Sequence, residues 1–303
     1  MAELLLPFAA DSSGRLAVAD EFGSTDWKNF NERVNQLIHA LRRQGLKTGD
    51  AFSVLSCNRR EYVESFAAAA HGGWLLVPIN WHLVASEICY ILANSESKAF
   101  LIDSRFYELG MQTVSLENAP NISPIVVMGE PERDTSTQQR NIFTYEDFLS
   151  DEKNHEPEDQ SLGGPMFYTS GTTGHPKGVK SALSQTGTPV GTLKMIGDGL
   201  SGMLSIEPGG KTLLVGPIYH SAQWAFSFLP MLAGSSIVMR HKFDEAETLR
   251  LIDNHQITNI HLVPTQFTRM LRLDEEEKEK LYSIFRDQGL RNETHEEYFE
   301  RIS

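Results

Sequence analysis

Between residues 26 and 43 the apolar positions Trp27, Phe30, Val34, Leu37, Ile38 and Leu41 recur at spacings of three and four. That period predicts a helix with one buried face, and Gly45 just beyond it supplies a stop. LKTGD then turns the chain into the short apolar run AFSVLS. A second helical pattern carries Tyr62, Val63, Phe66 and Ala70, and Gly72 and Gly73 precede the run WLLVPI. A third helix holding Ile88, Ile91 and Leu92 leads to the run KAFLID. Continuous apolar runs separated by helices of about a dozen residues predict βαβ units around a mostly parallel sheet.

Between residues 129 and 164 the pattern breaks. PERDTSTQQR and SDEKNHEPEDQSLGG are polar and rich in turn formers, and only IFTYEDFL between them can pack. This shift predicts a boundary between a first α/β lobe, residues 1–160, and a second, residues 161–273. In the second lobe strands are expected at 166–169, 212–215, 236–240 and 259–263, with helices at 221–233, 244–255 and 265–273. Residues 274–303 form a charged tail in which DEEEKEKLYSIFRDQGL reads as a solvated helix, with Leu281, Ile284 and Phe285 as a narrow apolar edge.

Composition adds bounds. A chain of 303 residues, 40% hydrophobic and 22% charged, has material for a full core and about two lobes of a soluble globular protein. The two cysteines, Cys57 and Cys89, lie far apart, which suits reduced core thiols in a cytoplasmic protein better than disulfides or a cysteine zinc site. Net charge is −13 and the basic residues are dispersed, so a nucleic-acid surface is disfavoured and any phosphate held is a small ligand. MAELLLPFAA lacks the basic start and apolar length of a signal peptide. Residues 216–239 carry no charge, but Pro217, Gln223 and Pro230 favour a buried helix and strand over a membrane span.

The segment FYTSGTTGHPKGVK, residues 167–180, comes directly after an apolar strand, where open α/β proteins place ligands. Glycines 171, 174 and 178 would admit positive φ and close backbone approach. Thr169, Ser170, Thr172 and Thr173 add hydroxyls and Lys177 a compact charge, a set suited to a polyphosphate. The order GxxGxPKG is not the GxxxxGK[ST] of a Walker A loop, and Pro176 biases His175 towards extended backbone. A glycine-rich hairpin without a ligand is the alternative. His71, His82, His241, His255 and His261 show no metal-ligand spacing.

The ten-residue string TSGTTGHPKG closely resembles the signature phosphate-binding loop of the adenylate-forming superfamily, which includes acyl- and aryl-CoA synthetases. NERVNQLIHALRRQGLKTGD, VPINWHLVASEICYILANSESKAFLID, GPIYHSAQWAF and NIHLVPTQFTRML resemble other family segments in the family's order, so the likeness spans roughly residues 10–275. It implies an α/β fold of stacked, mostly parallel sheets with flanking helices, here an incomplete large N-terminal domain. It also implies adenylation of a carboxylic acid by ATP with Mg²⁺, then transfer of the acyl group to coenzyme A. Thr169, Ser170, Gly171, Thr172, Thr173, Gly174 and Lys177 would hold the β- and γ-phosphates, and Lys177 and His220 would be catalytic. Tyr219, His220, Trp224 and Thr265 would meet the acid. Tyr219 is followed by His220 where amino-acid-activating relatives carry an aspartate, so the similarity is to acyl- and aryl-CoA ligases. Trp224, with Ala225, Phe226, Phe228 and Leu229, would line an apolar channel for a fatty or other hydrophobic acid. Implied partners are small molecules, with peripheral membrane contact left open.

Downstream of the loop the sequence departs from the family. That part of the chain has no YGxTE segment, no TGD segment and no C-terminal lid domain with its lysine, and the likeness fades after Leu273. The expectation is therefore a truncated chain that forms little or no acyl-adenylate alone. A non-catalytic nucleotide- or acyl-binding protein is the alternative.

Overall fold

The computed structural model describes residues 2–10, 14–130, 141–169, 176–180, 188–274 and 276. Residues 170–175 of the glycine-rich loop and most of the charged tail lie outside the described residues. The chain opens with α1 (Ala2–Ala9) and a hairpin of β1 (Leu16–Asp20) and β2 (Gly23–Asp26). Next comes α2 (Trp27–Arg43), whose first turn is capped by Asp26, its carboxylate accepting the Asn29 N–H at 2.7 Å. The six apolar positions that set its period are all buried.

Three strand–helix units come next: β3 (Ala51–Leu55) with α3 (Arg60–Gly72), β4 (Leu75–Ile79) with α4 (Ala85–Asn94), and β5 (Ser97–Asp103) with α5 (Tyr107–Val114). β6 (Ile125–Met128), β7 (Ile142–Thr144) and α6 (Tyr145–Ser150) complete this run, the last two being the packed part of IFTYEDFL. The second half comprises β8 (Gly164–Thr169), β9 (Lys177–Lys180), α7 (Gly191–Met203), β10 (Lys211–Leu214) and α8 (Ser221–Met231). It continues through β11 (Ser236–Met239), α9 (Glu245–His255), β12 (Asn259–Ile260) and α10 (Pro264–Met270).

Among the described residues the strands form two sheets, ordered β7-β6-β5-β3-β4-β8-β9 and β12-β10-β11-β1-β2. Pairing is parallel throughout except for the β8–β9 and β1–β2 hairpins. The sheets are stacked. Phe52 and Val54 of β3, Leu214 of β10 and Ile237 and Met239 of β11 meet across a shared core that encloses α2, α3 and α8. Ala51 and Leu55 face the opposite way, onto α4 and α5, and Leu213 and Val238 face α9 and α10. Both faces of each sheet are covered by helices, which is why the strands read as unbroken apolar runs. Helix α3 lies between the sheets and is buried along its whole length after Arg60, so that even its polar side chains Glu61, Glu64, Ser65 and His71 are enclosed.

The expected lobe boundary near residue 160 falls between α6 and β8, but the sheets cross it in both directions. β8 and β9 join the sheet of the first half, and β1 runs parallel to β11 of the second, Val18 opposite Ile237. The uncharged stretch 216–239 is a loop, α8 and β11, and no described helix is long and apolar enough to cross a membrane. Cys57 and Cys89 are both buried and unpaired.

Candidate active site

The C-terminal ends of β3, β5, β6, β10 and β11 converge, and the polar segment 56–61 that leaves β3 fills the space between them. Ser56, Cys57, Asn58, Arg59 and Glu61 are all buried there. Asn58 reaches the far sheet, its Nδ2 donating to the Gly216 and Arg240 carbonyls at 2.8 and 2.9 Å and its Oδ1 accepting the Ile218 N–H at 2.9 Å. Arg59 grips Glu61 with a two-pronged contact at 2.8 Å on each prong, donates to the Met128 carbonyl at 2.9 Å and pairs with Asp103 at 3.2 Å. The Arg60 backbone N–H donates to Asp20 at 3.0 Å. Glu21 spans the sheets, accepting from Arg105 at 3.0 Å and from His241 at 2.8 Å.

The glycine-rich segment is presented by the β8–β9 hairpin, whose last described pair is Thr169 opposite Lys177. Both residues are exposed. Tyr168 anchors the hairpin to α4, its hydroxyl donating to Asn94 Oδ1 at 2.7 Å, and the Tyr90 hydroxyl donates to the Pro176 carbonyl at 3.3 Å. Gly178 does not have the positive φ expected of it. A Cβ there would instead collide with the Met166 methyl and press on the Tyr168 ring, so the glycine makes room for these side chains. Ser170, Gly171, Thr172, Thr173 and Gly174 lie outside the described residues.

Tyr219 and His220 stand between β10 and α8 with ring centroids 4.6 Å apart, and His220 forms the N-terminal boundary of α8. One turn on, Trp224 is 9% exposed and sits among Phe66, Phe167 and Phe228 at centroid distances of 6.2, 6.0 and 5.8 Å. Phe167 lies two residues before Thr169, so this contact brings the hairpin and the α8 segment together. Thr265 is exposed in the first turn of α10. The segment between β12 and α10 reaches α8 through His261, which stacks on Phe226 at 4.5 Å and contacts the Gln223 amide at 3.1 Å.

Burial lowers the pKa of His220, which keeps the imidazole neutral at pH 7, able to donate one hydrogen bond without carrying charge. Burial, with Cys57 adding to it, pushes the Tyr219 phenol up to about 12, and burial raises the Cys57 thiol to about 11. Neither ionises at neutral pH, so Cys57 is no nucleophile. No group of three or more His, Cys, Asp or Glu among the described residues is placed to hold a metal ion.

The segment 56–61 did not stand out in the sequence. The available signal was its position at a strand's C-terminal end.

The family model of the AMP-binding enzyme matches residues 7–293. The chain belongs to the AMP-binding enzyme family. The match takes in residues 274–293, where the sequence likeness was expected to fade. Among AMP-binding relatives, the chain is 29% identical over 272 residues to a 3-oxocholest-4-en-26-oate–CoA ligase of Rhodococcus rhodochrous, covering 84% of this chain and 47% of that protein. It is 25% identical over 249 residues to a medium-chain-fatty-acid–CoA ligase of Ectopseudomonas oleovorans, covering 81% and 44%. The chain thus spans about half the length of the curated relatives it matches. The inhibitor-bound N-terminal domain of FACL13 from Mycobacterium tuberculosis shares the AMP-binding fold, with a TM-score of 0.75, 22% identity and coverage of 90% of this chain and 65% of that one.

Proposed function

We propose that the chain holds the nucleotide phosphates and the carboxylic acid of an acyl-CoA synthetase. In that reaction an acid oxygen attacks the α-phosphorus of ATP, the bond to pyrophosphate breaks, and the acyl-adenylate passes its acyl group to the thiol of coenzyme A with loss of AMP. The observation that carries this reading is the Phe167–Trp224 contact at 6.0 Å, which sets the hairpin bearing TSGTTGHPKG beside the segment bearing Tyr219 and His220. In this reading Lys177 offsets phosphate charge, neutral His220 donates to the acid, and Thr169 to Gly174 surround the β- and γ-phosphates. Mg²⁺ would be held through the nucleotide phosphates with few protein ligands, and would supply positive charge to offset theirs alongside Lys177. The apolar setting of Trp224 favours a fatty or other hydrophobic acid. Residues 161–273 act with 1–160 as one binding unit, because the hairpin that would meet ATP is built onto the sheet of the first half through β8 and β4.

Calorimetric titration tests the reading. ATP is expected to bind the wild-type chain, and Lys177→Ala to weaken it about tenfold, or about 1.4 kcal/mol. Unchanged affinity would remove the loop from the reading. Trp224→Ala is expected to alter the ranking of acids by chain length more than ATP affinity, measured below the variant's melting temperature because the cavity costs about 3–5 kcal/mol. Equal loss across all acids would count against a chain-length role. With neither YGxTE nor a downstream TGD, these 303 residues by themselves are proposed to make little acyl-adenylate. Robust acid-dependent ATP–pyrophosphate exchange by the pure chain would overturn that.

A further inference from the structure

The loop that carries Tyr219 and His220 is fixed from the opposite sheet by one side chain. Asn58 is 2% exposed, and its amide makes three hydrogen bonds to the far sheet, all to backbone: Gly216 O at 2.8 Å, Arg240 O at 2.9 Å and Ile218 N at 2.9 Å. Gly216 and Ile218 flank Pro217, which has no N–H of its own, and the Pro217 carbonyl accepts the His220 N–H at 3.0 Å. One amide therefore sets the entry of the loop, and the loop's own bond passes that setting on to His220. The near end is rigid as well, because the next residue, Arg59, is locked to Glu61, Met128 and Asp103.

We propose that Asn58 is the positioning residue of the acid site, holding the loop 216–220 so that Tyr219 and His220 meet the acid while the two sheets stay in register. The inference rests on the acid-binding reading given above. Asparagine meets a requirement that its nearest analogues do not. Aspartate would turn a carboxylate oxygen onto two carbonyl oxygens, alanine would leave two carbonyls and an N–H buried without partners, and glutamine would overshoot by a methylene.

Hydrogen exchange and calorimetry on the full chain test this, with decanoate as the acid probe. In the wild type, the amide of Ile218 is expected to exchange as slowly as those of β10 and β11; fast exchange at 218 overturns the proposal with no variant needed. Asn58→Ala and Asn58→Asp are each expected to speed exchange across 216–220 and weaken decanoate by about tenfold or more, with ATP affinity changed by less than about twofold. Tyr145→Phe on α6, which removes the hydrogen bond to Glu64, serves as a destabilised control and is expected to leave decanoate affinity unchanged. Faster loop exchange with unaltered decanoate affinity, or equal loss in the control, overturns the positioning role alone. A wild type that binds no decanoate or other hydrophobic acid sinks the acid-binding reading and this one with it.

Discussion

Gly163→Ala is expected to cost about 3 kcal/mol or more, lowering the melting temperature by about 10 °C and cutting soluble yield. The cause is a close approach of backbone to backbone. Gly163 passes the C-terminal end of α3, where its N–H donates to the Ala70 carbonyl at 3.2 Å and the next residue's N–H donates to the Trp74 carbonyl at 2.9 Å. A Cβ at 163 would come closer than 3.0 Å to the Ala69 and Trp74 carbonyl oxygens and to the Trp74 nitrogen. These are main-chain atoms of a helix end and of the turn into β4, so no rotamer change can relieve the clash. The insult falls where β8 begins, and β8 carries the hairpin with Thr169 and Lys177. A folded variant should therefore also hold ATP less well. Thermal unfolding decides the matter: a melting temperature within about 2 °C of wild type would mean that the α3 end moves aside freely.

The same region shows what was legible in the sequence and what was not. The helix 26–43 and strands β3, β4, β5, β8, β10 and β11 could be read because each is a local pattern: one apolar face in α2, and an apolar run in each strand, whereas β1, β2, β6, β7 and β9 were not read. The interleaving of the sheets could not be read, since β1 pairs with a strand more than two hundred positions away and nothing in LAVAD names its partner. Helix α7 escaped notice because GTLKMIGDGLSGM contains four glycines, poor helix formers that tertiary packing against α8 overrides. Strand β12 stops at Ile260, short of the expected 263, because the Val263 N–H already serves the start of α10, donating to Gln266 Oε1 at 3.0 Å. At the site, the order of residues in TSGTTGHPKG and YHSAQW pointed to the hairpin and α8 segments. The NRRE segment stayed hidden because its partners, Asp103, Met128, Gly216 and Arg240, are scattered along the chain and meet only in the fold.

Arg59→Met is expected to cost about 3–5 kcal/mol at pH 7.5, the penalty for stranding buried carboxylates whose cation has been removed. Arg59 and its partners are almost wholly enclosed, with side-chain exposures of 4% for Arg59, 9% for Glu61 and 0% for Asp103. Burial alone would raise both acids, but the Arg59 fork outweighs it at Glu61, and Arg105 with Arg59 outweighs it at Asp103, so both lie below their ordinary values. A carboxylate depressed in the folded state contributes stability that is present above its unfolded pKa and lost as pH falls through the folded one. In the wild type this contribution is therefore intact from neutral pH down to about 4.5, the ordinary glutamate value, and fades below it. The variant reverses the sign at Glu61. Without its fork, burial dominates and lifts the folded pKa above the unfolded one, so protonation on acidification relieves part of the damage. The stability gap between wild type and variant should accordingly shrink by about 1 kcal/mol or more between pH 7.5 and pH 5. Urea unfolding at the two pH values measures it. A gap that stays constant would show that the loss comes from Arg59's packing against the Phe22 ring, 5.4 Å away, and not from its charge. Arg59→Lys separates charge from geometry: one ammonium cannot reproduce the fork on Glu61 and also reach Met128 and Asp103, so it should recover only part of the loss.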